Sequence, residues 1–247
     1  MPRDWTDAYY GDLYLDSVAD LLTPALSAAE AEVLLSLLDL RPEELVLDLA
    51  CGQGRHLCAL AGRARLVGLD RSRAYLERAR GAGASLVPGD LRGLPFRDGA
   101  FDAAFSWYAS LFMWDDAVNL AALCEAARVV RPGGRLLVHH ANPARLAREP
   151  EARAERTLPN GARVEEHSRF DLRTGVDACA RHLYRLDGTV LAGTALLRYY
   201  TPAEWSALAP RAGLRLLGIS STSRPRDRTP SLDADAPDLI ALAEKVA

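Results

Sequence analysis

Short apolar runs of strand length alternate with helical patterns along residues 1–142, and glycine and proline mark the borders between them. The helical stretch containing Leu34, Leu35, Leu37 and Leu38 ends at Arg41-Pro42, because proline cannot continue a helix. Leu45–Leu49 follows, an apolar run that carries one acid, Asp48. The strand signature returns at 66–70, 85–88, 101–106 and 136–140, with helical patterns over 55–62, 72–80 and 119–130. Buried strands alternating with helices predict a parallel, doubly wound α/β sheet.

Past Asn142 the rhythm changes. Residues 143–157 are rich in arginine and glutamate and read as an exposed helix or a connection. Three strand-length segments, 163–172, 176–186 and 190–199, are bounded by Asn160-Gly161, Arg173-Thr174-Gly175 and Asp187-Gly188, which are turn signals of an antiparallel meander. Thr201, Pro202 and Glu204 then open a helix as cap, first-turn proline and capping-box acid. Leu214–Ser220 predicts a sixth strand and 221–238 a polar loop. Residues 239–246 read either as an antiparallel strand closing the sheet or as a terminal helix.

Composition narrows the field. The chain has 247 residues, enough for one substantial domain with an appended part, and 49% of them are hydrophobic. No apolar run approaches the roughly 18–20 residues of a membrane span, and Met1-Pro2-Arg3-Asp4-Trp5 does not open a signal peptide. The expected location is the cytoplasm. A net charge of −3 supplies no field for phosphate backbones, so neither nucleic acid nor membrane is the expected partner. Cys51, Cys58, Cys124 and Cys179 lack the paired spacing of a metal cage, and no metal is expected.

The chemistry points to the segment from Leu45 to His56. Gly52 and Gly54 let the backbone turn sharply after the first strand and approach a ligand closely. Strand, glycine turn and helix start form the nucleotide-binding corner of a doubly wound sheet. Leu57 stands where the dinucleotide fingerprint wants its third glycine. Asp48 is an acid inside a buried strand, which is costly unless something polar meets it. Asp70 ends the second strand about twenty residues further on, where a carboxylate can accept from ribose hydroxyls.

The run Val46-Leu47-Asp48-Leu49-Ala50-Cys51-Gly52-Gln53-Gly54 resembles the first motif of the class I S-adenosylmethionine (SAM)-dependent methyltransferases, and Gly89-Asp90-Leu91-Arg92 resembles their adenine-binding motif. The resemblance covers about residues 40–142 closely and 196–246 loosely. It implies a Rossmann-like sheet of seven strands with an inserted antiparallel β subdomain. Residues 1–40 would be a helical lid, 41–142 the SAM-binding core, 143–199 a substrate cap and 200–247 the remainder of the core. SAM would be the cofactor, held by Tyr10, Asp48, Ala50, Cys51, Gly52, Gly54, Arg55, His56, Asp70, Arg71, Asp90, Leu91 and Ser106.

The resemblance also implies methyl transfer to a nitrogen or oxygen of a small-molecule acceptor, with a homodimer compatible with the insertion. If a base is needed, His139 and His140 are the candidates, with Tyr108 positioning the acceptor; strand alternation sends the two histidines to opposite faces. Two other classes stay open. An NAD-dependent oxidoreductase would use the same sheet, and a SAM-binding protein without catalysis would use the same cofactor residues.

Overall fold

The computed structural model describes residues 5–222, 224–229, 232 and 235–247. Three N-terminal helices, α1 (Trp5–Tyr9), α2 (Asp12–Val18) and α3 (Pro24–Leu38), lead into the sheet. There follow β1 (Leu45–Leu49), α4 (Arg55–Ala59), β2 (Arg65–Asp70), α5 (Arg73–Arg78), β3 (Ser85–Pro88), β4 (Phe101–Ser106), α6 (Asp116–Val129) and β5 (Val130–Ala141). The insertion comprises α7 (Pro143–Leu146), β6 (Glu151–Thr157), β7 (Arg163–Asp171), β8 (Val176–Tyr184) and β9 (Val190–Arg198). The chain closes with α8 (Pro202–Arg211), β10 (Leu214–Ser221), β11 (Arg224–Thr229) and β12 (Asp238–Lys245).

The main sheet runs β11-β10-β12-β5-β4-β1-β2-β3. β1 to β5 pair in parallel, and β12 runs antiparallel to both β5 and β10. This is the doubly wound arrangement read from the sequence, with the order reversing between β1 and β4. The expected seven strands are present, and residues 239–246 take the strand alternative, because Ile240 and Leu242 are buried beside β5 as only a central strand could be. β11 adds an eighth strand inside the segment expected to be a loop. Its polar sequence carried no strand signal; the pairing is supplied by the free edge of β10.

In the insertion, the arginine- and glutamate-rich residues 151–157 form a strand, not the expected helix or connection. β6 pairs with β7 along its whole length and makes the meander four-stranded. Its side chains are mostly exposed, so hydrogen bonding to a neighbour fixes it and apolar burial does not. The other face of the meander is apolar where Val164, Leu183 and Ala195 meet Tyr9 and Leu13 of the N-terminal helices. Gly193 permits that approach, since a Cβ there would stand 3.0 Å from Leu13 Cδ2.

Packing explains the missing third glycine of the turn. Leu57 is fully buried, and a Cβ on Gly68 of β2 would lie 2.5 Å from its Cδ1. The room that the dinucleotide fingerprint makes on the helix is made here on the strand. Gly54 has φ +79°, and a Cβ there would lie 2.9 Å from Ala79 Cβ. Gly54→Ala is expected to destabilise the protein by about 1–3 kcal/mol through crowding and left-handed strain, measured as a lower midpoint in urea with an unchanged slope.

Candidate active site

At the carboxyl ends of β1, β2 and β4 lies a cavity of about 480 Å³. Its floor is the turn after β1. Ala50 and Gly52 hold left-handed backbone there, with φ of 62° and 56°, which costs a residue with a Cβ about 1–2 kcal/mol. The turn is tied to β2 by Asp70: its Oδ2 accepts from the Gly52 N–H at 2.9 Å and its Oδ1 from the Ser72 N–H at 2.8 Å. Burial raises the Asp70 carboxyl above its usual range, against those two backbone donors. At the far end Asp90 and Leu91 line the wall, and Asp90 is gripped by Arg92 through Nε at 2.9 Å and Nη2 at 2.6 Å.

Of the residues read from sequence, Tyr10, Asp48, Ala50, Cys51, Gly52, Arg55, His56, Asp70, Arg71, Asp90, Leu91 and Tyr108 all line this one cavity. Gly54 does not; it is a packing residue under α5. Ser106 is fully buried in β4 and does not reach the wall. His139 and His140 do not line it either, so the base candidates are corrected. They do point to opposite faces, as alternation requires, but both faces are covered. His140 accepts from Trp205 Nε1 at 3.0 Å and donates from Nδ1 to the Ala141 carbonyl at 2.8 Å. Burial pushes it down to about 4, so it is neutral.

His139 acts through the backbone. Its ring stacks on Trp107 at 4.2 Å, and its Nδ1 accepts the Tyr108 N–H at 3.2 Å. Nε2 therefore carries the proton and faces Asp238 Oδ2 at 3.2 Å. The His139 carbonyl accepts the next N–H, that of Ala109, at 2.8 Å. These bonds hold Tyr108 and Ala109 at φ 57° and 60°, a corner that presents the Tyr108 ring to the cavity.

The residue missed in the sequence is Glu30. From α3 it accepts Tyr108 Oη at 2.7 Å, Trp107 Nε1 at 3.2 Å, His56 Nε2 at 3.0 Å and Arg55 Nη1. Burial raises its carboxyl, yet the His56 hydrogen bond and the Arg55 charge prevail and hold it at about 2. Burial in turn pushes His56 down to about 4, so it meets Glu30 as a neutral donor. A signal existed: Ser27, Glu30, Ala31, Leu34, Leu37 and Leu38 share the buried stripe of α3, and Glu30 is the acid within it. An acid on a helix's apolar face needs partners.

Two unsatisfied groups flank the turn. Asp48 is 2% exposed and its Oδ2 has no hydrogen-bond partner. Burial pushes its carboxyl up to about 8, against Arg55 and with Asp70. Arg55 has its Nη1 on Glu30, while its buried Nη2 is unpartnered. A lone acceptor and a lone cationic donor on one cavity fit the ammonium and carboxylate of an amino acid. Asp70 and Asp90 further along fit a ribose and a base. The residues present therefore suit SAM. The N-terminal helices border the cavity through Thr6, Tyr10, Gly11 and Tyr14, and Thr6 Oγ1 accepts from Arg71 Nη1 at 2.7 Å. None of the lining residues comes from 143–199; the meander reaches the cavity through the helices it holds.

The comparisons with known proteins agree with this geometry. Residues 46–134 match the family model described as a methyltransferase domain. A demethylmenaquinone methyltransferase of Corynebacterium kroppenstedtii is 44% identical over 102 residues, which cover 41% of this chain and 43% of that protein. The chain thus matches about two fifths of the length of the curated relatives first found, 37% and 43%. Among solved structures, the CcbJ methyltransferase from Streptomyces caelestis superposes with a TM-score of 0.79 at 22% identity, covering 98% of this chain and 99% of that one. The SAM-bound amino pentose methyltransferase CalS10 from Micromonospora echinaspora gives 0.60 at 20% identity, covering 99% and 93%. At such identity the likeness is one of fold.

Glu30→Ala should leave Arg55 as a buried charge without its anion and cost about 3–5 kcal/mol. Glu30→Gln, which keeps the volume and one acceptor, should cost less. Guanidinium denaturation of the two variants beside the parent checks the order.

Proposed function

We propose that this chain, whose residues 46–134 match the model of a methyltransferase domain, transfers a methyl group from SAM to a nitrogen or oxygen of a small-molecule acceptor. The observation that carries the reading is the pair of buried, unpartnered atoms Asp48 Oδ2 and Arg55 Nη2 beside the glycine turn. They match an amino-acid zwitterion. A dinucleotide would instead bring a pyrophosphate next to the acids Asp48 and Asp70, which disfavours the oxidoreductase alternative.

SAM supplies a methyl group on a sulfonium, an electrophile that needs no activation by the protein. The work left to the chain is to bind, align and keep water out. Asp48 and Arg55 bind the amino-acid end, and Asp70 accepts from the sugar. Trp107 and Tyr108 wall the space beyond the turn. Orientation of this kind can supply roughly 7–11 kcal/mol in favourable systems. Tyr108 donates its hydroxyl proton to Glu30, which leaves its oxygen lone pairs for an acceptor's N–H or O–H. With both histidines walled off, a lone-pair acceptor that sheds its proton to solvent suits the site.

The small-molecule reading rests on the cavity volume and on the net charge of −3. It also draws on the amino pentose methyltransferase and the demethylmenaquinone methyltransferase to which the chain is similar. Residues 1–40 act as the lid in this reading, since α1 and α2 lie along the cavity wall.

Titration calorimetry tests the cofactor. S-adenosylhomocysteine should bind and NADH should not; the reverse result overturns the proposal. Asp70→Ala should weaken S-adenosylhomocysteine binding by about tenfold, about 1.4 kcal/mol, and, because it also frees the Gly52 and Ser72 N–H groups, should lower the melting temperature without unfolding the domain. The pH dependence follows from Asp48. Its carboxyl, near 8 in the free protein, is mostly protonated at pH 7, and a bound ammonium favours the carboxylate. Binding should therefore expel a proton and tighten as pH rises toward 8. Calorimetry in buffers of different ionisation enthalpy should show that release in the parent protein and none in Asp48→Asn.

A further inference from the structure

A second buried carboxylate lacks a counter-charge. Asp177 on β8 is 6% exposed, its Oδ1 is without a partner, and its Oδ2 accepts only a long 3.4 Å bond from Ser168 Oγ. Among the described residues, no arginine, lysine or histidine forms an ion pair with it. The other buried acids are provided for. Glu30 has four side-chain donors, Asp70 has two backbone N–H groups, and Asp238 has His139, Ser221 and Thr222. Among the buried acids of the described residues, Asp48 alone shares this condition, and its open oxygen suits a ligand's ammonium.

The surroundings of Asp177 favour a cation. On its face of β8 stand Cys179 and Arg181, which meet the N-terminal helices: Tyr9 Oη lies 3.9 Å from Cys179 Sγ, and the Arg181 guanidinium lies over Tyr9 and Tyr14. Across the sheet Asp177 is opposite Phe170 and Leu197. Leu197 packs both against the cluster that includes Tyr10 and Tyr14 and against the cluster of Ala109, Phe170 and Tyr199. Asp177 and Tyr199 do not line the cavity themselves; they stand behind its wall, where the meander, the N-terminal helices and the Tyr108–Ala109 corner come together. Tyr10 and Tyr14 are shared with the cavity wall. The hydroxyls of Tyr10, Tyr14 and Tyr199 make no hydrogen bond to another described residue. Burial and then the neighbouring Asp177, Tyr10, Cys179 and Tyr14 raise the Tyr199 hydroxyl, so these groups lie close together.

We propose that Asp177, with Tyr10, Tyr14 and Tyr199 about it, is the subsite that recognises a positively charged nitrogen on the methyl acceptor. This rests on the methyl-transfer reading and deepens it, since it assigns the acceptor to compounds bearing a basic amine. An ammonium brings three donors, enough for the free carboxylate oxygen and tyrosine oxygens, while aromatic faces add cation–π attraction. Burial raises the Asp177 carboxyl in the free protein, as it does for Asp48, and a bound cation would return it to the charged form.

The test uses the full chain, with and without saturating S-adenosylhomocysteine. Glucosamine, cyclohexylamine and benzylamine are titrated at millimolar concentration beside glucose, cyclohexanol and benzyl alcohol. The parent protein should bind the amines in preference to the matched neutral compounds. Asp177→Asn should lose that preference, with amine binding weakened about 30-fold, while its melting temperature holds or rises and its S-adenosylhomocysteine affinity is unchanged. Tyr199→Phe, which removes one oxygen only, should weaken amine binding a few-fold. Absence of an amine preference in the parent, or its survival in Asp177→Asn, overturns the proposal. Cofactor binding is read separately, so a protein that ignores S-adenosylhomocysteine but keeps an Asp177-dependent amine preference refutes only the methyl-transfer reading.

Discussion

One buried carboxylate joins three parts of the chain that are far apart in sequence. Glu30 comes from a helix outside the doubly wound core, Arg55 and His56 from the helix after the glycine turn, and Trp107 and Tyr108 from the end of β4. A carboxylate with that many donors stays ionised even when buried, because each hydrogen bond to the charged form offsets part of its lost hydration. With its Nη1 engaged by Glu30, Arg55 keeps its Nη2 as the lone donor beside the turn. Tyr108 is turned so that its hydroxyl donates to Glu30 while the residue as a whole stays exposed. The N-terminal region is thus bound into the site by charge as well as by apolar packing.

The site repeats a single device: polar groups without partners are left where a ligand can supply them. Asp48 and Arg55 leave an acceptor and a donor open at the turn, and Asp177 leaves an acceptor open under the tyrosines. Each such group costs free energy until a complementary group meets it. The remainder of the fold makes that cost bearable. The parallel strands are buried on both faces, and the apolar faces of α3, α6 and α8 cover the sheet. The meander contributes through the helices it clamps, since its apolar face is spent on Tyr9 and Leu13.

Much of this was legible in the chain before any coordinates. The rhythm of apolar runs specified the parallel strands, because a strand buried on both faces has to be continuously apolar. Gly52, Gly54 and the strand-borne Asp48 marked the turn, because backbone sterics and the cost of a buried acid are local properties. Asp70 was placed by the rule that ligands bind beyond the carboxyl ends of parallel strands, and Asp90 by the resemblance of Gly89-Asp90-Leu91-Arg92 to an adenine-binding motif. The last three strands of the meander were visible from their turns.

Tertiary structure alone decided the rest. β6 and β11 are strands because a neighbouring edge had hydrogen bonds to offer, which polar sequence does not reveal. His139 and His140 were rightly sent to opposite faces, but only packing showed that Trp107 and Trp205 cover them. Glu30, Arg55 and Tyr108 are distant in sequence, and their meeting depends on where α3 docks. Local sequence determines what each segment can become and which groups will need partners; the folded chain alone determines which partners they find.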